Sequence, residues 1–528
     1  MLTEKNKKVI SGIILGIIIL LALFLRIYHI DTAPPGIFPD EAINGEDAIR
    51  ANNSGNYQLF YSNNEGREGL FMNIIAMSFK FFGISIFTLK LPSIIFGTLA
   101  VWGIYLLTKE LFNRRRLALI SAYLMAVSFC VINFNRISFR ANMMPFVLVF
   151  SFYFFFRGIR TKKFSDFILG GIIFGSGMHT YIAFRIAPLL LAVLLISFVI
   201  FRKNFFKEYW KPVAVFIFLA IVITLPIIYT LETHPEYLHA PVDDISIFSP
   251  IINHGHLIQT FFRSFGLSLV KYNFWGDQNW RHNYPPYPIL DPLTGIAFLF
   301  GAIYAVTKLT RLLKTRIINK KRSDELIIYL FIISWFFIML IPEFMSGEGL
   351  PHALRAIGSL PAVMILSAVT FDYFIRKAEK QSKINGKKVL YAVIIILALI
   401  GMFNFVKYFY FWANNPKTAD SFDKNLTDIS RYIKTLPAQK EKFIVNSFGP
   451  YHSPLDRLPI QIFNMDLPNV TYLYSWQNFN QIRPHTDNFI VILTGKDDNT
   501  EALIEERFPG KKLQEINPSP GSVYYILK

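Results

Sequence analysis

The run VISGIILGIIILLALFLRIY, Val9 to Tyr28, decides what kind of chain this is. Arg26 is its only charge, and it comes near the end. At 1.5 Å per helical residue, about 20 apolar residues cross a hydrocarbon core roughly 30 Å thick. Lys5, Lys7 and Lys8 precede it as they would in a signal peptide. No small-residue cleavage site follows, so the run reads as an uncleaved first span.

Outward from this run the rest of the chain repeats the pattern. Of the 528 residues 53% are hydrophobic and 53 are Phe, more apolar surface than a soluble fold buries. Further spans are expected at 88–108, 117–135, 143–157, 165–183, 186–201, 212–230, 292–308, 325–342, 357–375 and 389–412, about eleven transmembrane helices in all. The single cysteine, Cys130, excludes an intrachain disulfide framework.

A net charge of +18 would suggest nucleic acid if the basic residues formed one surface. They lie instead in short loops, which excludes that class. Every second connection is basic, and with the N terminus these segments hold 28 of the 54 Lys and Arg. The opposite connections are acidic: residues 31–87 carry seven Asp or Glu against three Lys or Arg, and 231–291 carry six against three. The positive-inside rule then places the N terminus in the cytoplasm and the C terminus outside the cell (plasma) membrane. The apolar stretch 69–82 is too short to span, and counting it would put Arg114 to Arg116 outside. It reads as an interfacial helix in the first external loop, 30–87.

The composition predicts a transmembrane domain over 1–412 and a small extracytoplasmic α/β domain over 413–528, where thirteen acids balance thirteen bases. Strands are expected at Phe443 to Val445, Asn488 to Leu493 and Val523 to Leu527, with helices near 420–435 and 498–507.

Pro39-Asp40-Glu41 comes about ten residues after the first span. A carboxylate within hydrogen-bond reach of an acceptor hydroxyl suits general-base chemistry, so Asp40 is the candidate base and Glu41 its orienting neighbour. The same two residues also suit the first turn of a helix beginning near Ala42. Arg136 and Arg140, then His179 and Arg185 in the turn that also holds Tyr181, then His352 and Arg355, are basic groups at the outer ends of helices, where the charge bias makes them exceptions. Converging guanidinium groups hold a phosphate by charge-assisted bidentate bonds. Singly, each has snorkelling to lipid phosphate as its alternative. The long external loop 231–291 holds His234, His239, His254, His256 and His282 with Asp243, Asp244 and Asp277. None of these spacings is a zinc signature, so they read as surface histidines, with no metal site assigned. No cofactor is required, and a divalent cation has no support from spacing. The aromatic run Asn273 to Pro286 reads as a cover over a sugar or prenyl site, or as interface anchors.

The series Pro39-Asp40-Glu41-Ala42, Gly66-Arg67-Glu68-Gly69-Leu70-Phe71, Leu89-Lys90-Leu91-Pro92-Ser93 and Asn135-Arg136-Ile137-Ser138-Phe139-Arg140-Ala141-Asn142 resembles the GT-C membrane glycosyltransferases. More narrowly it is similar to the protein O-mannosyltransferases and the lipid A aminoarabinose transferases. The likeness runs from about residue 15 to 370.

The resemblance implies a GT-C fold and inverting transfer of a sugar from a polyprenyl-phosphate carrier to a hydroxyl of a lipid, polysaccharide or protein acceptor outside the cytoplasm. It implies Asp40 as base with Glu41 beside it, and Arg136 or Arg140 as a phosphate contact. Together with Arg67 and Glu68 of the second motif and the helix-end groups Tyr181, Arg185, His352 and Arg355, these are the candidate substrate contacts. Many relatives carry a second carboxylate where this chain has Asn142. The rival class, a lipid-linked glycan flippase or transporter, calls for ionisable groups at mid-membrane.

Overall fold

The structure is a computed structural model that describes residues 3–236, 245–319, 323–381, 385–446, 454–473, 476–496 and 500–528. His239, Asp243 and Asp244 of the long external loop lie outside the described residues.

Among the described residues nine helices are long and apolar enough to cross a membrane: Glu4–Ile27, Ile86–Phe112, Arg140–Thr161, Ile182–Phe201, Phe205–Thr233, Pro292–Ile318, Asp324–Phe344, Ile357–Lys380 and Gly386–Trp412. The other two expected spans are shorter. Numbered from the N terminus, the first ten helices are α1 Glu4–Ile27, α2 Pro39–Ser54, α3 Leu70–Phe82, α4 Ile86–Phe112, α5 Arg115–Val127, α6 Phe129–Phe134, α7 Met143–Thr161, α8 Phe164–Ser176, α9 Ala187–Phe201 and α10 Phe205–Thr233.

The expected span 117–135 is α5 followed by α6, broken where Ser128 turns extended (ψ 128°). Such a break orphans backbone donors, which are costly in a dry interior. Here the Phe129 amide donates to Asn404 Oδ1 at 3.0 Å, and Asn404 Nδ2 donates to Asp291 Oδ2 at 3.0 Å. The expected span 165–183 is α8, which gives way to a 3₁₀ turn at Gly177–His179. A Cβ at Gly171 would lie 2.4 Å from Phe216 O and one at Gly175 2.6 Å from Ala220 O, so two glycines four apart let α8 and α10 meet backbone to backbone.

The chain divides into two compact units. The first comprises Met1–Tyr28, Gln58–Phe71 and Ser93–Lys407, and the second His29–Tyr57, Met72–Pro92 and Tyr408–Lys528. The first unit has an aromatic core. Phe152 packs on Phe331 with centroids 4.8 Å apart, and buried Trp335 donates its indole N–H to Gly358 O at 2.8 Å.

In the second unit five strands line up as β4-β3-β5-β7-β6, with β3 Glu441–Val445, β4 Val470–Leu473, β5 Phe489–Leu493, β6 Leu513–Ser519 and β7 Ser522–Leu527. β3 runs parallel to β4 and β5, and β7 is antiparallel to β5 and β6. Ile490 and Ile492 pack with Leu426, Ile429 and Ile433 of the helix Lys424–Thr435 on one face, while Val491 and Leu493 pack with Phe479 and Ile504 on the other. Both faces are covered, which explains the unbroken apolar run of β5.

Segment 29–57 belongs to the same unit as this sheet. The Ile37 amide donates to Thr427 Oγ1 at 2.9 Å, and a Cβ at Gly36 would lie 2.2 Å from Phe422 O.

Candidate functional site

In the first unit the candidate residues gather around Glu68. A short hairpin, β1 Phe60–Tyr61 paired with β2 Arg67–Glu68, carries it, with Phe60 opposite Glu68. Two glycines shape its approach: Gly66 turns with φ +79°, and a Cβ at Gly69 would lie 2.1 Å from Gln58 O. The Glu68 carboxylate is buried, with Oε2 accepting from Arg140 Nε at 2.8 Å and Oε1 3.7 Å from Arg185 Nη2.

Arg140 opens the 3₁₀ turn Arg140–Asn142 that leads into α7, and its guanidinium sits 5.5 Å from the Tyr181 ring centroid. Tyr181 is extended, between the turns Gly177–His179 and Ile182–Ile186, and the second of these carries Arg185. Arg355 and Glu68 lie within electrostatic reach of the Tyr181 hydroxyl. Arg355 donates from Nη1 to Ser346 Oγ at 2.7 Å and Glu348 O at 2.8 Å, and its Nη2 lies 3.3 Å from Glu348 Oε2.

Three guanidinium groups therefore face two carboxylates. Nε of Arg140 is committed to Glu68, while neither of its terminal nitrogens makes a hydrogen bond among the described residues. A planar fork held at Nε and open at both Nη atoms is suited to a bidentate oxyanion.

The remaining candidates are placed elsewhere. Arg136 is fully buried and spends Nη1 on Leu25 O at 2.7 Å and Nη2 on Tyr28 O at 2.6 Å. It closes the C-terminal end of α1, where carbonyls are orphaned and the helix dipole favours a cation. Arg67 is buried in the hairpin and donates to Asn63 Oδ1 at 2.6 Å. Asn142 is buried and donates to Ser93 Oγ at 3.1 Å and Ile137 O at 2.9 Å. His352 is half-buried, and its backbone N–H donates to Glu343 Oε1 at 2.9 Å. Burial, with His282 and Arg355 beside it, holds its imidazole well below the ordinary histidine value and therefore neutral.

In the second unit Asp40 and Glu41 occupy the first turn of α2, behind Pro39 at its start. Glu41 is fully buried and accepts the Phe38 amide on Oε1 at 3.4 Å, while Asp40 is half-buried. Glu41, Asn44 and Asp47, all buried, share one face of α2 at a spacing of three.

Sequence reasoning missed Lys271. It is fully buried and ion-paired with Glu343, also fully buried. The signal was a lone Lys closing the amphipathic run Leu257–Val270. Asp277 and His282, expected at the surface, are buried instead and meet at 3.0 Å, because the loop from Tyr272 to Asp291 folds inward. With His352 they form a group of three possible metal ligands. A cavity of about 1030 Å³ is lined by Lys7, Arg115, Tyr123 and Ile394 at the opposite end of α1 from the Arg136 contacts. It plays no part in this site.

Residues 70–229 match the family described as dolichyl-phosphate-mannose-protein mannosyltransferase. No curated protein matches the sequence. Among solved structures, ArnT from Cupriavidus metallidurans, bound to undecaprenyl phosphate, superposes with a TM-score of 0.54 at 11% identity over 99% of this chain and 98% of its own. The oligosaccharyltransferase AglB from Archaeoglobus fulgidus, in complex with an inhibitory peptide and a dolichol-phosphate, gives 0.54 at 15% identity over 98% of this chain and 74% of its own. This chain is a multi-pass membrane protein with the GT-C glycosyltransferase fold, and its residues 70–229 carry the mannosyltransferase sequence pattern.

Proposed function

We propose that the chain is an inverting glycosyltransferase that takes a sugar from a polyprenyl phosphate and places it on an acceptor hydroxyl at the membrane face opposite the N terminus. One observation carries the reading: Arg140, fixed at Nε by Glu68 and open at both terminal nitrogens, with Arg185 and Arg355 close by. In the transfer the acceptor oxygen attacks the anomeric carbon as the bond from that carbon to the phosphate oxygen breaks. The acceptor proton passes to Asp40, and the prenyl phosphate leaves with the negative charge that the guanidinium groups stabilise. Phosphate recognition is assigned to the Glu68 cluster and acceptor activation to Asp40. The first rests on the Arg140 geometry and the second on the Pro39-Asp40-Glu41 motif of the sequence.

The test is incubation of the purified protein with a panel of polyprenyl-phosphate sugars. Release of free prenyl phosphate from at least one, dependent on Arg140, supports the reading; no release from any donor or acceptor class overturns it. For orientation, a reporter fused after Lys528 should lie outside the cytoplasm and one inserted at Arg316 inside.

A further inference from the structure

Two loops of the first unit bring three metal-ligand side chains together. Asp277 and His282 lie between the helices Leu257–Val270 and Pro292–Asn319, and His352 lies between Asp324–Ile338 and Leu360–Lys380. Asp277 is 1% exposed and His282 4%. The Asp277 carboxylate is pinned: Oδ1 accepts the Asn279 amide at 2.8 Å, and Oδ2 accepts the Ala353 amide at 2.7 Å and His282 Nδ1 at 3.0 Å. The His282 and His352 rings have centroids 4.8 Å apart, and one ligand atom from each of the three residues lies within 4.8 Å of the others.

We propose that Asp277, His282 and His352 bind one divalent transition cation of the zinc class. One carboxylate oxygen and two imidazole nitrogens form the borderline donor set that zinc takes. They lack the six or more oxygens that calcium collects. Bonds of about 2.0–2.2 Å place neighbouring ligands of a tetrahedral ion roughly 3.3 Å apart. The 3.0 Å between Asp277 Oδ2 and His282 Nδ1 is already close to that edge. The ligand atom of His352 lies within 4.8 Å of both, and the ring must move inward where it stands beyond that edge. Backbone amides on both oxygens of Asp277 supply the outer contacts that orient a metal-binding carboxylate. Of the nearby cations, Lys271 is paired with Glu343 and Arg355 with Glu348, while the Arg281 side chain donates to Asn279 Oδ1.

Binding balances without a further reactant. His282 keeps its ring proton on the nitrogen that faces away from the ion, which leaves one imidazole lone pair and one lone pair of Asp277 Oδ2 for the cation. The ion would join the loop after Tyr272 to the turn His352–Arg355. It would thereby fix the start of the chain segment that carries Arg355, acting through position and not on the sugar. This inference stands whether or not the proposed transfer reaction does.

The test uses the full chain in detergent, stripped with a chelator and titrated with zinc chloride by calorimetry, with metal content read by mass spectrometry. One zinc per chain is expected, with an affinity that falls about 100-fold or more in His282→Ala and in Asp277→Asn, beyond the loss typical of outer contacts. His254→Ala, an exposed histidine of the same long loop, should bind as the parent does. A parent protein that takes up no zinc overturns the proposal without any variant. So does an affinity unchanged in both His282→Ala and His352→Ala.

Discussion

Glu68 Oε2 accepts from Arg140 Nε at 2.8 Å while its other oxygen lies 3.7 Å from Arg185, so one buried carboxylate holds two guanidinium groups of separate helical turns. In sequence Glu68 looks like a ligand contact in its own right. In the fold it is a positioning residue: it fixes the plane of the Arg140 fork by binding the nitrogen that a phosphate does not need. It also offsets one of the three positive charges, without which the cluster would repel itself.

Glu68→Gln should therefore be the milder of two substitutions. Its amide oxygen still accepts from Arg140 Nε, and donor affinity should fall by less than about tenfold, around 1.4 kcal/mol. Glu68→Ala removes the anchor for both arginines. It should cost roughly 1–3 kcal/mol of stability and a larger share of donor affinity, because Arg140 is only partly buried and its unpaired form reaches water. Titration of both variants with a fluorescent polyprenyl phosphate, alongside thermal unfolding, decides this. Equal affinity in parent and Glu68→Ala would remove the positioning role.

Arg136 should behave in the opposite way. Its bonds to Leu25 O and Tyr28 O close the end of α1, and Arg136→Ala leaves one buried and one part-buried carbonyl short of a donor. At about 1–3 kcal/mol for each unsatisfied group, the variant should unfold several degrees earlier. The fraction that stays folded should bind donor as the parent does. A stable Arg136→Ala protein with lost donor affinity would return Arg136 to the phosphate site.

These two arginines show where the sequence stops being legible. Arg136 and Arg140 are four apart, and on a continuous helix they would share a face. The chain instead leaves α6 at Phe134 and starts a new turn at Arg140, so the two side chains part. Span number met the same limit. Hydropathy marks 117–135 as apolar throughout, and only the amide of Phe129 meeting Asn404, 275 residues away, shows that the helix breaks. The strands of the terminal sheet fared better, since β3, β5 and β7 are near-continuous apolar runs. β4 and β6 are edge strands with mixed burial, and no run announced them. Asp277 and His282 escaped a spacing argument because their third partner, His352, lies in a different loop.

Asn404 offers a test of the break itself. Its Oδ1 takes the Phe129 amide and its Nδ2 reaches Asp291 and Ile400 O. Asn404→Leu keeps the volume but leaves that amide and one carboxylate oxygen without their partner in a dry setting. A loss of roughly 2–4 kcal/mol is expected, since two buried polar groups are affected. Asn404→Asp keeps the acceptor for Phe129 but faces Asp291 with like charge and should also be destabilised. Unfolding midpoints of the detergent-solubilised variants check both. A midpoint unchanged in Asn404→Leu would mean the break is held by packing alone.

Asp40 separates the chemical role from the structural one most sharply. It lies in the first turn of α2, where an acid is favoured by the helix dipole whatever else it does. Asn is close to isosteric and serves helix starts about as well as Asp. If Asp40 were only a helix-start residue, Asp40→Asn would be nearly silent. If it is the base, the variant keeps its fold and its donor binding but loses the proton acceptor, and transfer should fall by about 10²- to 10⁴-fold. Glu41 supplies the internal comparison. Its Oε1 holds the Phe38 amide, a bond that Glu41→Gln retains through the amide oxygen, so that variant should lose far less activity than Asp40→Asn. The measurements are single-turnover transfer rate and donor affinity on protein of normal unfolding temperature. A fully active Asp40→Asn enzyme would end the catalytic assignment. A loss of transfer matched by an equal loss of donor binding would place Asp40 with the substrate contacts instead.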